Sequence, residues 1–244
     1  MMNHGEKLDI AVVGGGVAGI TAAYQLQKEH DVVLLEANSY VGGHTNTLVT
    51  PEGPDAGTPV DTGFIVLNDR TYPTLNRFFR KLNVDIRKSD MSFSYFSERT
   101  GFQYACRSFN SLFAQRKNLL DLGHWKMLRE ILRFNRQVER GLQGDELGAI
   151  TLGDFLQRHE YSRRFQRHYV YPMVAAIWSA PDEKVSQFPM LTFARFFHNH
   201  GLLSVSDQPQ WYYVAGGSQT YVRAFLEQFN GRVETNADVA AIQR

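Results

Sequence analysis

Apolar and polar positions change their period several times along this chain, and each change marks an element. Residues 8–13 (LDIAVV) form a short apolar run of strand length, broken by glycines at 14–16. From 17 to 29 the apolar positions Val17, Ile20, Ala23, Tyr24 and Leu26 recur on one helical face. A turn at 30–31 leads into 32–35 (VVLL), continuous in apolar character like a parallel strand buried on both faces. Strand, helix and strand within about 30 residues make a βαβ crossover.

Further along, 50–59 (TPEGPDAGTP) is a loop by composition. Residues 72–82 are helical in pattern, with Leu75, Phe78, Phe79 and Leu82 on one side. Segments 92–96 and 102–105 predict a hairpin around Glu98-Arg99-Thr100-Gly101. Residues 124–140 predict an amphipathic helix with Leu128, Ile131, Leu132 and Val138 as its apolar stripe. Thr151 is placed to cap another helix, with Asp154 as an imperfect capping-box partner. Residues 163–177 are helical up to or around Pro172. Gly216 and Gly217 precede a helix at 220–229, which Gly231 should stop as a C′ glycine. Residues 232–234 and 239–242 then return to strand.

The first turn carries chemistry. Gly14-Gly15-Gly16-Val17-Ala18-Gly19 is a G-x-G-x-x-G between a strand and a helix. The first glycine permits a turn too tight for a Cβ, the second lets backbone approach a pyrophosphate, and the third lets helix and strand pack closely. The helix start adds unpaired N–H groups and about half a positive charge. Glu36 closes the second strand 22 residues after Gly14, where a carboxylate would hold the hydroxyls of a ribose. It would also repel a 2′-phosphate, which argues against NADP. These residues predict a dinucleotide site and leave NAD and FAD both open.

Bulk properties narrow the class. The 244 residues suit one large domain or two small ones. With 43% hydrophobic and 21% charged residues the composition is globular. Lys and Arg number 26 against 25 Asp and Glu, so no global field draws the chain to nucleic acid. Cys106 is the single cysteine, which excludes an internal disulfide or a Cys-x-x-Cys relay and favours a reducing compartment. No signal-peptide pattern and no apolar stretch of membrane-spanning length are read, so the cytoplasm is the expected location.

The residues after Glu36 bear on the cofactor. Glu36 and Ala37 are followed by Gly42-Gly43-His44-Thr45, a spacing unusual for a plain NAD site. It resembles the extended fingerprint of the flavin amine oxidase and phytoene desaturase superfamily. Val60-Asp61-Thr62-Gly63-Phe64, the Gly216-Gly217 pair before a helix, and 233–242 (VETNADVAAI) are similar to further segments of that superfamily. Residues 173–178 and 198–203 resemble its bacterial amine-oxidase-like subgroup. The resemblance implies FAD. It also implies that Gly42, Gly43, His44 and Thr45 support phosphate and ribityl, that Gly63 and Phe64 approach the flavin, and that backbone near Val239 meets the adenine. His44 stands where many relatives carry arginine, so its charge depends on pH.

The expected fold is α/β. A doubly wound Rossmann-like FAD-binding domain is formed by 1–70 and 208–244, and a mostly helical substrate domain at 71–207 is inserted in it. The superfamily usually runs further, so the C-terminal part of its fold is expected to be missing. The cofactor-binding candidates are Gly14, Gly15, Gly16, Val17, Ala18, Gly19, Glu36, Ala37, Gly42, Gly43, His44, Thr45, Gly63, Phe64 and Val239. No catalytic residue can be named. His198 and His200 flank Asn199 without further ligands, so no metal site is expected.

Residues 70–244 hold no second glycine-rich dinucleotide motif and no cysteine pair, so the organic substrate itself would reduce the flavin. The expected function is an FAD-dependent oxidoreductase of amine-oxidase or desaturase type. The aromatic middle favours an apolar, lipid-like substrate over a small charged one, though such residues more often form plain core. The alternatives are a non-catalytic dinucleotide-binding module or subunit, and an NAD-linked dehydrogenase. The basic run 158–168 (RHEYSRRFQRH) reads as a solvated helix face, or as a surface that meets an anionic head group or phosphate at a membrane periphery.

Overall fold

The computed structural model of the chain describes residues 6–178, 182–204 and 208–243. It begins with β1 (Asp9–Val13), α1 (Val17–Leu26) and β2 (Asp31–Leu35). The short strands β3 (Thr47–Val49), β4 (Pro59–Asp61) and β5 (Leu67–Asn68) follow, then α2 (Pro73–Lys81) and β6 (Ile86–Ser89). A hairpin of β7 (Ser94–Phe96) and β8 (Gln103–Ala105) leads to α3 (Phe109–Leu112), a 3₁₀ turn (Arg116–Leu120) and α4 (Leu122–Gln143). Next come α5 (Leu152–Arg158) and α6 (Arg163–Phe165), which runs as a π-helix (Gln166–Val170) into α7 (Tyr171–Trp178). After α8 (Asp182–Val185) and α9 (Met190–Asn199) come β9 (Trp211–Val214), α10 (Gln219–Gln228) and β10 (Arg232–Glu234).

Two compact units emerge. The first joins Met1–Asp90 to Gln210–Arg244. Its parallel sheet has the order β1-β2-β10, and Val13 and Glu234 both pair with Leu35. The three strand tips therefore end at one level, with Gly14 and Glu36 just beyond. Val32 and Leu34 are buried on one face of β2, while Val33 and Leu35 are half-buried on the other. Among the described residues β1 has a neighbour on one edge alone, and Val13 is 54% exposed. An antiparallel sheet, β5-β9-β6, and a β3–β4 ribbon complete the strands of this unit. Ile20, Leu34, Phe79, Tyr221 and Phe225 form its core, with the Phe79 and Tyr221 rings 5.2 Å apart.

The inner boundary differs from the sequence expectation. Residues 71–90 lie in the first unit because Phe78, Phe79 and Leu82 bury their side chains in its core and β6 pairs with β9. Two further expectations need correction. Gly231 is not a C′ glycine: α10 ends at Gln228 and Phe229 caps it in extended backbone. Gly231 serves close approach instead, since a Cβ there would lie 2.3 Å from the Val32 carbonyl. Residues 239–242, expected as strand, are irregular and largely exposed, with no pairing partner among the described residues.

The second unit, Met91–Pro209, is mainly helical. Its core includes Phe134, Phe165, Phe193 and Phe197, so these aromatics of the middle segment are core rather than pocket lining. Thr151 and Asp154 form a true capping box: Thr151 Oγ1 accepts the Asp154 amide at 3.1 Å and Asp154 Oδ2 accepts the Thr151 amide at 3.0 Å. A one-carbon-shorter Asp at this position still reaches.

Helix continues through Pro172 rather than ending there. Proline lacks the N–H that would bond the carbonyl four residues back. The Tyr104 hydroxyl donates to that His168 carbonyl at 2.8 Å, and the Tyr171 amide shifts to the Gln166 carbonyl. The helix thus absorbs the proline with one π turn and one side chain from the hairpin. Among the described residues no helix is long and apolar enough to cross a membrane.

Candidate functional site

The site grows from the turn between β1 and α1. Gly14 takes φ +94°, a conformation that costs an L-residue strain, and its amide donates to the Leu35 carbonyl at 2.7 Å. Gly19 permits close packing, since a Cβ there would lie 1.8 Å from the Gly14 carbonyl oxygen. Gly16 is the N-cap of α1 and has no side chain to accept the first-turn amides. The N–H groups of Val17, Ala18 and Gly19 have no acceptor within the helix. Val17 and Ala18 are exposed, so this donor-rich end faces outward.

Glu36 aims at the same turn. Its Oε2 accepts the Gly15 amide at 2.7 Å, while Oε1 accepts the Asn38 amide and the Asn38 side-chain amide, each at 2.8 Å. The carboxylate is buried. The Asn38 amide above all, with the Gly15 amide, holds its carboxyl below the usual range against the opposing effect of burial. A carboxylate offers about four lone-pair sites. Three are engaged, so one ribose hydroxyl would find a free acceptor and a second would displace the Asn38 side chain.

A second glycine loop meets the first. The Gly42 amide donates to the Gly15 carbonyl at 2.9 Å. Gly42 and Gly43 take φ +140° and +60°, and a Cβ on Gly43 would lie 2.8 Å from the Gly16 Cα. The two loops leave a cradle that side chains would fill. Thr45 Oγ1 shares a 2.7 Å hydrogen bond with the buried Tyr221 hydroxyl. His44 is exposed. Gly63 lies against this loop so closely that a Cβ would come 1.9 Å from the His44 carbonyl. Phe64 is half-buried and packs on the core of the first unit.

The candidate residues therefore fall into groups. Gly14, Gly15, Gly16, Gly19, Glu36, Gly42 and Gly43 come together at the strand tips. Val17, Ala18 and Ala37 flank them, and Gly63 and Thr45 brace the second loop from behind. The Ala237 amide donates to the Glu36 carbonyl at 2.9 Å, so Val239 lies two residues beyond a segment fastened to the β2 tip.

Sequence reading missed the brace itself. Asp61 accepts the Ser218 amide (2.8 Å), the Ser218 hydroxyl (2.7 Å) and the Thr47 hydroxyl (2.6 Å), and Thr47 Oγ1 accepts the Gln219 amide at 2.9 Å. The start of α10 is thus capped from β3 and β4, about 160 residues away in sequence. The sequence carried no signal of this, because Ser218 is itself a favoured N-cap residue, and only the structure shows its hydroxyl donating to Asp61 instead of capping α10. Asn38 was missed too, although an Asn two residues after an acidic strand end is well placed to turn back on it.

With that geometry in hand, comparison with known proteins places the chain among relatives. Residues 12–82 match the NAD(P)-binding Rossmann-like domain family. The chain is 28% identical over 249 residues to AofH of Mycobacterium tuberculosis, named a flavin-containing monoamine oxidase, covering 97% of this chain and 52% of that protein. It is 38% identical over 97 residues to dbaF of Emericella nidulans, named an FAD-dependent oxidoreductase, covering 39% of this chain and 19% of that one. Among solved structures, cyclohexylamine oxidase from Brevibacterium oxydans superposes with a TM-score of 0.67 at 18% identity, covering 92% of this chain and 50% of that one. Putrescine oxidase superposes with a TM-score of 0.64 at 18% identity, covering 94% and 50%. The chain is thus homologous to flavin-containing amine oxidases and has their Rossmann-like α/β fold. It spans about half the length of AofH and of these oxidases.

Proposed function

We propose that this chain binds FAD and belongs to an FAD-dependent oxidoreductase that oxidises a small organic substrate. The observation that carries this reading is the Gly15–Glu36 hydrogen bond. It ties the donor-rich start of α1 to the carboxylate at the tip of β2, at one level of a parallel sheet. Ligands of such sheets bind beyond the carboxyl ends of the strands.

The residues present fit a dinucleotide. Amides of the first turn of α1 would receive the pyrophosphate, and the cradle between Gly16 and Gly43 lets backbone come close to it. Glu36 would receive a ribose hydroxyl. Thr45 and Gly63 hold the second loop in position from behind. FAD, when bound, supplies a hydride acceptor for a substrate C–H bond. The second unit is the proposed substrate domain, and its partly buried aromatics Tyr171, Trp178, Phe188 and Phe196, rather than those sealed in the core, favour an apolar, lipid-like molecule over a small charged one. The names of the relatives point instead to amines.

Purified chain given FAD should turn yellow and retain the flavin through gel filtration. Failure to take up FAD sinks the reading. The match to an NAD(P)-binding family favours a second one, a nicotinamide dinucleotide at the same turn. Mass spectrometry of the bound cofactor separates the two. Anaerobic mixing with amines and with lipids tests the substrate, and bleaching by amines alone overturns the apolar preference. A stable FAD complex that no substrate reduces would favour a non-catalytic binding module.

A further inference from the structure

The basic run in the second unit has a shape that the dinucleotide site does not use. Arg163 and Arg167, and Arg164 and His168, are each spaced i, i+4, so they form two neighbouring ridges of the helix. With Arg99 from the hairpin tip and the Phe102 ring they line a concavity of about 390 Å³.

Two members are fixed in place. Arg164 pairs with Asp121 at 2.7 and 3.0 Å and lies 4.7 Å over the Phe102 ring. His168 is held by the Tyr95 hydroxyl at 2.9 Å from its Nδ1. Arg99, Arg163 and Arg167 have no carboxylate partner among the described residues. Asp121 thus offsets one guanidinium of four. Arg163 and Arg167, four residues apart, repel one another. Arg167 and His168 lie in the π turn, directly after Arg163 and Arg164 in α6. Burial above all, and then the charges of Arg164, Arg167 and Arg99, keeps the His168 imidazole below its ordinary pKa.

We propose that this concavity binds a phosphoryl oxyanion, carried by a free phosphate or by a lipid head group. Guanidinium groups match phosphate geometry, and an anion seated among Arg99, Arg163 and Arg167 relieves their mutual repulsion. The assignment is independent of the flavin reading.

The test uses the full chain with two probes, inorganic phosphate followed by calorimetry and phosphatidylglycerol/phosphatidylcholine vesicles followed by cosedimentation. Arg99→Ala and Arg167→Ala remove exposed side chains that lack a carboxylate partner, and Arg140→Ala removes the same charge from the last turn of α4. Each of the first two should weaken binding roughly tenfold or more, and Arg140→Ala should not. Phosphate binding with that pattern identifies a free phosphate. Binding to the mixed vesicles but not to phosphatidylcholine alone, with the same pattern, identifies a head group. If neither probe binds, or if Arg99→Ala and Arg167→Ala bind as Arg140→Ala does, the assignment is overturned.

Discussion

Glu36 and Gly15 lie 21 residues apart in sequence and meet through a 2.7 Å hydrogen bond from the Gly15 amide to Oε2. This bond spends one amide of the glycine turn on the protein itself, and it sets the distance between that turn and the carboxylate. Removing the carboxylate should therefore act twice. Glu36→Ala strands a buried amide, a loss of about 1–3 kcal/mol in urea unfolding. FAD affinity should fall at least tenfold by equilibrium dialysis. Glu36→Gln keeps the size and one acceptor, so its stability loss should be smaller while the affinity loss remains. Unchanged FAD affinity in both variants would remove Glu36 from the site.

The glycines of the first turn are not equivalent. Gly14 has open space where a Cβ would lie but a φ of +94°, so Gly14→Ala should cost about 1–2 kcal/mol of backbone strain. Gly19→Ala drives a Cβ to 1.8 Å from the Gly14 carbonyl, and helix must move off strand. Its cost should exceed that of Gly14→Ala, on the order of 4 kcal/mol or loss of soluble protein. Denaturant midpoints of the two variants compare them directly, and the reverse order would show that α1 packs less tightly on β1.

Asp61 caps α10 from another part of the chain. Asp61→Ala should cost on the order of 2 kcal/mol, because it orphans the Ser218 amide and frees the Thr47 and Ser218 hydroxyls. Asp61→Asn retains an acceptor and should recover much of that loss. Unfolding curves that superpose for parent and Asp61→Ala would mean that solvent replaces the cap.

Tyr104 supports the helix that runs through Pro172. Tyr104→Phe leaves the His168 carbonyl without its partner and should cost about 1–3 kcal/mol. Pro172→Ala restores an N–H that can reach this carbonyl. The double variant should then be more stable than the sum of the two single changes, read from a double-mutant cycle. Strict additivity would disconnect the two residues.

Acid should weaken the second unit in two stages. Burial lowers the pKa of His124 and His168, and hydrogen bonding to Arg164 lowers that of Asp121. The folded chain keeps both imidazoles neutral, whereas the unfolded chain protonates them near pH 6.5, so it binds more protons below that value. Stability is then full above about pH 6.5 and declines as pH falls through the lower folded values. Asp121 adds a contribution present above about pH 3.8 and lost below it. Urea midpoints followed by tryptophan fluorescence should be lower at pH 5.5 than at pH 7.5, and His168→Gln should flatten the difference. A higher midpoint at pH 5.5 would reverse the sign derived for the histidines.

Sequence by itself determined the parts of this protein that are local. The βαβ unit was legible because apolar periodicity and glycine spacing act within about 30 residues, and the Thr151–Asp154 capping box was legible for the same reason. The candidate residues Gly14 to Gly19 and Glu36 were readable because strand ends and helix starts dictate where backbone donors collect. Tertiary structure alone decided which distant groups complete these parts. Asp61 reaches Ser218, Tyr104 serves the helix through Pro172, and Phe78 and Phe79 draw residues 71–90 into the first unit. Gly231 follows the same rule, since its need for a missing Cβ comes from a strand carbonyl 199 residues earlier. A hydrogen bond or a packing contact depends on distance in space, and sequence patterns report that distance only within the reach of a helix turn, a strand pair or a short loop.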